Sequence, residues 1–164
     1  NRTPHRKGPF MSHAMVLAAD RPLPEFERLV WKRMKSGRVT VEGLFGPIVR
    51  PGGFHLPACR CETAKTVYHN LDLQADQQSL DALRTYLLDT LSPGETVELW
   101  GIWEGEYRDD QGGLSLVEDY ARANQTPARR TVTPEELSLA DLTLLEAPHG
   151  EQSACIAVQK KQSK

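Results

Sequence analysis

No stretch of about 18 consecutive apolar residues occurs in this chain, so no segment reads as a membrane-spanning helix. No charged segment followed by an apolar core of signal-peptide length is present, so a secretory signal is not expected. Phosphate-binding loops are missing as well. Pro51-Gly52-Gly53 and Gln111-Gly112-Gly113 are glycine-rich, but neither belongs to a G-x-x-x-x-G-K-[ST] or G-x-G-x-x-G pattern. There is no G-x-S-x-G nucleophile elbow. A D-x-[DN]-x-[DN]-G calcium loop is also absent.

Cysteine is scarce. The 164 residues hold three: Cys59, Cys61 and Cys155. An odd count with Cys-x-Cys spacing makes a poor disulfide framework, since a bridge between residues two apart is strained. Reduced thiols in a cytoplasmic protein are the expectation.

Charge is nearly balanced, at a formal net of -2, but unevenly distributed. From Arg2 to Arg60 there are eleven Lys and Arg against four acids. From Glu95 to Asp119 there are eight acids against Arg108 alone. The two regions either complement each other in the fold or leave an acidic face for a basic partner. Arg28, Lys32, Arg33, Lys35 and Arg38 form a basic stripe, but the overall charge disfavours a nucleic-acid partner.

What is present is enough for one core. A hydrophobic content of 39 % over this length supports a single domain. Residues 1–13 read as a leader outside the fold and 14–160 as the domain. The clearest signals lie between Asp76 and Trp103. Leu80, Leu83, Leu87 and Leu91 make one helical stripe, Asp76 is a fitting N-cap, and Ser92-Pro93-Gly94 is a stop. Val97–Trp103 is apolar on both faces apart from Glu98, the mark of a central strand.

Around this unit the pattern predicts strands over 14–19, 38–44, 66–73 and 154–158. It predicts a helix over 25–35 ending at Gly37, although Leu29-Val30-Trp31 also fits a strand. Loops are expected over 45–56 and 104–113, a short helix over 114–123, and a linker over 124–130. Thr133-Pro134-Glu135-Glu136 has the form of a capping box, opening a short helix that ends near Leu142 and is followed by an extended arm to Glu146. The expected fold is α+β, a mainly antiparallel sheet with helices packed on one face.

Two groups of residues carry candidate chemistry. His55, Cys59, Cys61 and His69 are of zinc-ligand type, and zinc needs four converging N or S donors. Their His-x3-Cys-x-Cys-x7-His spacing lacks the usual knuckle, so buried thiols and a strand histidine are the competing account. Glu104, Glu106, Asp109 and Asp110, with Tyr107 beside them, offer either a solvated acidic loop or a docking surface for a basic protein.

Three short stretches resemble a group of small bacterial α+β proteins of unknown function. They are Asp20-Arg21-Pro22-Leu23-Pro24 after the first strand, Glu98-Leu99-Trp100-Gly101-Ile102-Trp103, and Cys155-Ile156-Ala157-Val158-Gln159-Lys160. The resemblance covers about a sixth of the chain and implies a bacterial, cytoplasmic, single-domain protein without an activity or catalytic residue to carry over. The functional expectation is a protein-binding module without catalysis or cofactor, of the type of an immunity inhibitor of a basic toxin domain. The alternative is a metal-binding protein or enzyme using His55, Cys59, Cys61 and His69.

Overall fold

The computed structural model describes residues 10–52, 55–108, 111–112, 114–116, 118–146 and 153–163. Its elements are β1 (Phe10–Ala19), β2 (Phe26–Arg33), β3 (Val39–Pro51), β4 (Val67–Asp72), α1 (Gln77–Thr90), β5 (Thr96–Arg108), β6 (Leu114–Leu116), α2 (Glu118–Gln125), β7 (Ala128–Val132), α3 (Leu139–Glu146) and β8 (Ala154–Gln159). Single 3-10 turns span Leu56–Cys59 and Pro134–Glu136. The strands form one sheet in the order β2-β3-β4-β1-β5-β8-β7, with β6 paired to β5. Every pairing is antiparallel except β7 with β8. The fold is therefore α+β, with helices packed against a mainly antiparallel sheet.

β5 is central, as its two-sided apolar pattern predicts. It lies between β1 and β8, and side chains alternate across it. Val97 and Leu99 point to a first face, where they meet Leu80, Leu83 and Leu87 of α1 and Leu142 and Leu145 of α3. Trp100 and Ile102 point to a second face and pack with Val16, Cys155 and Leu56. Each fully buried leucine contributes about 1.5–3 kcal/mol. Asp76 caps α1, its Oδ1 accepting the Ser79 amide at 2.7 Å. Gly94, at φ +83°, turns the chain into β5, and its amide donates to the Lys160 carbonyl at 2.8 Å.

Several local expectations are corrected. Within the helix expected over 25–35, Phe26–Arg33 is strand β2. A short run with Phe26, Leu29, Val30 and Trp31 fits both periods, and pairing with β3 decides it. Gly37 does take a left-handed conformation, at φ +82°, but in the turn between β2 and β3. The expected loop over 45–56 is largely strand β3. Gly46-Pro47 falls where β3 carries extra residues opposite β2, an irregularity that tolerates a residue without an amide proton.

β5 continues through Glu104 to Arg108, held by β1 and β6, where a loop was expected. The supposed linker 124–130 holds the end of α2 and most of β7, an edge strand whose Arg129 and Arg130 are exposed. The arm expected over 142–146 belongs to α3. At the 133–136 motif the Glu136 carboxylate accepts the Thr133 amide at 3.0 Å, but the turn it starts is a single 3-10 turn. β1 begins at Phe10, so strand pairing reaches into the segment read as leader. Among the described residues no helix is long and apolar enough to cross a membrane.

Candidate functional site

The four side chains of zinc-ligand type do not converge. His69 pairs with Leu17 in the β4–β1 register and lies on the first face, buried at 2 % exposure. Its Nε2 accepts the Leu23 amide at 3.0 Å, which leaves the proton on Nδ1 to donate to the Leu17 carbonyl at 3.1 Å. Both ring nitrogens are committed to backbone. Cys59 and Cys61 belong to the second face, around the Leu56–Cys59 turn. His55 is exposed; its Nδ1 accepts the Ala58 amide at 3.2 Å and its ring stands edge-on to Tyr68. Among the described residues no group of three or more His, Cys, Asp and Glu side chains is placed to hold a metal ion.

The three cysteines do share the second face. Cys61 and Cys155 are buried and Cys59 is half-buried, and none of the three is in a disulfide. Burial pushes the Cys61 thiol up to about 12, and its neighbours Cys59 and Cys155 add to the effect. Burial likewise raises Cys155 to about 12. Such thiols stay protonated near neutrality and are poor nucleophiles and metal ligands.

Glu104 and Glu106 sit on strand β5 instead of in a loop, opposite Ser12 and Phe10 of β1. Tyr107 pairs with Ser115 of β6. Glu104 is half-buried and follows Ile102 on the second face by strand alternation. The side chains of Glu106 and Tyr107, and Asp109 and Asp110 entirely, lie outside the described residues.

A feature with no signal in the local sequence is a groove of about 630 Å³ between the start of β2 and the outer flank of α1. Pro24, Phe26 and Tyr86 give it an apolar floor. Pro22 and Pro24 stiffen the approach to β2. The Tyr86 hydroxyl donates to the Pro24 carbonyl at 2.7 Å, and the Phe26 and Tyr86 rings pack with centroids 5.5 Å apart. Burial raises the Tyr86 hydroxyl to about 12, so it remains a donor.

The rim is acidic. Glu25 and Glu27 come from the β2 side, and Asp81 and Asp89 from one flank of α1, about two turns apart. Arg50 pairs with Glu27 at 2.8 Å, and Arg84 approaches Asp81 at 3.8 Å. Among the described residues the side chains of Glu25 and Asp89 have neither an ion pair nor a hydrogen bond. Glu25 and Glu27 stand 54 to 64 positions before Asp81 and Asp89, which is why only the folded chain gathers the four carboxylates.

Comparison of the chain with protein-family models, with curated proteins and with solved structures found no match.

Proposed function

We propose that this chain is a protein-binding module without catalytic activity, acting on a basic partner protein. The observation that supports it is the groove: an aromatic floor rimmed by four carboxylates, two of them unneutralised. Aromatic side chains give contact area at low entropic cost, and fixed charge of one sign steers and selects a partner of the other. The side chains that catalysis would recruit are otherwise committed: His69 bridges two backbone groups, and Cys61 and Cys155 are held as thiols. An immunity-type inhibitor of a basic toxin domain is the specific form this reading takes. The acidic stretch from Glu104 to Asp110 is a second surface for the same partner.

The test uses a peptide of alternating lysine and leucine against a glutamate and leucine peptide of equal length. Binding of the first and not the second, weakened as salt rises, supports the reading. Equal binding of both, or of neither, removes it. Comparing Glu25→Lys and Asp89→Lys with Glu104→Lys and Asp110→Lys then separates the two surfaces.

A further inference from the structure

The second face carries a pocket of about 600 Å³ that has no part in the groove. Glu98, Thr63, Cys61 and Arg129 line it. The strand register explains how they meet. Trp100 of β5, Cys155 of β8 and Arg129 of β7 form one row across three strands, and Glu98 stands two residues from Trp100 on the same face.

Trp100, fully buried, links the two charges. Its Nε1 donates to Glu98 Oε1 at 3.1 Å, and the Arg129 guanidinium carbon lies 5.4 Å from the indole centroid. The Thr63 hydroxyl donates to the same Glu98 oxygen. Two donors thus fix the carboxylate, while Oε2 has no partner among the described residues and is not buried. Arg129 spends one donor on the Glu62 carbonyl at 3.2 Å and keeps the others. Among the described residues Glu98 and Arg129 form no ion pair with each other or with anything else.

Arg129 and two carboxylates, Glu98 and the exposed Glu62, therefore line one pocket, and among the described residues none of them is in an ion pair. Glu98 and Arg129 are each placed by Trp100: Glu98 accepts the indole N–H, and Arg129 lies over the indole ring. We propose that this pocket binds a small zwitterion of the α-amino acid type, its ammonium on Glu98 Oε2 and its carboxylate on Arg129. The guanidinium fork suits a carboxylate, and the preset Glu98 oxygen suits an ammonium group. The Cys61 thiol forms part of the wall and takes no part in chemistry.

The experiment titrates the full chain with an equimolar mixture of free proteinogenic amino acids, then with each singly, following the Trp100 indole N–H by NMR. Amides and N-acetyl derivatives of the same amino acids, each lacking one charge, serve as comparison. The expected result is a saturable Trp100 shift with at least one free amino acid, at least ten-fold weaker with either blocked form. The shift disappears in Glu98→Gln and in Arg129→Met and persists in the groove variant Glu25→Lys. No shift with any free amino acid, blocked forms binding as well as free ones, or a shift surviving Arg129→Met overturns the proposal. Arg129 is exposed on an edge strand, so that variant carries the test even if Glu98→Gln unfolds.

Discussion

The Leu23 amide donates to His69 Nε2 at 3.0 Å, which fastens the turn after β1 onto β4, 46 residues further along the chain. The bond is buried, and the same imidazole bridges to the Leu17 carbonyl. His69→Leu keeps apolar bulk but strips two buried backbone groups of their partner. We expect it to lower stability by about 2–4 kcal/mol in urea unfolding. A change under about 0.5 kcal/mol would show that the imidazole does not hold this turn.

Gly101 predicts a second loss. It lies on the first face of β5 where α3 crosses, and a Cβ there would come within 2.5 Å of the Leu145 carbonyl oxygen. Backbone cannot swing aside as a side chain can. Gly101→Ala is expected to destabilise the chain by about 1–3 kcal/mol, read as a lowered unfolding midpoint. Near-wild-type stability would mean that α3 packs farther from the sheet.

The acid limb of stability has an identifiable contributor. Arg21 donates through Nε and Nη2 to both carboxylate oxygens of Glu95, each at 2.8 Å. Those bonds, with a further one from the Ser92 amide, hold Glu95 below the usual 4.5. Because the folded value is depressed, the stabilisation is fully present above about 4.5 and is lost as pH falls through the lowered value. Arg21→Met should therefore lower stability at pH 7 and flatten the decline below pH 4.5. Parallel acid limbs for variant and wild type would show that the pair contributes nothing to them.

Thiol accessibility gives a fourth check. Cys59 is half-buried, whereas Cys61 and Cys155 are buried with thiols raised to about 12. An aromatic disulfide reagent at pH 8 should modify one thiol readily in the native chain, with the other two reacting only on unfolding. Loss of the fast phase in Cys59→Ser assigns it. Three equally fast thiols would contradict the packing of the second face.

How far the sequence disclosed this molecule follows from where each signal was local. Asp76, the leucine stripe of α1 and the two-sided run Val97–Trp103 are legible because cap, period and burial act within a few residues. β2 was ambiguous because eight residues holding Phe26 and Leu29-Val30-Trp31 satisfy a helix and a strand equally, and only β3 resolves it. β7 looked like linker because Ala128-Arg129-Arg130-Thr131-Val132 is polar at an edge, where solvent covers one side.

The site was less legible than the fold. His55, Cys59, Cys61 and His69 are close in sequence, but the sheet separates His69 from the two thiols. Asn124, in a segment read as linker, is buried and binds the Trp103 backbone and the Cys59 carbonyl. Proximity in sequence misled in one case and was no guide in the other.

A basic partner is proposed to enter the groove between β2 and α1. Mapping amide shifts on titration with the lysine and leucine peptide tests it most directly. The largest shifts are expected at Phe26, Glu27, Ala82, Thr85 and Asp89, suppressed together in an Asp89→Lys chain. Shifts centred on Glu104 to Arg108 instead, or a pattern unchanged by Asp89→Lys, would contradict it.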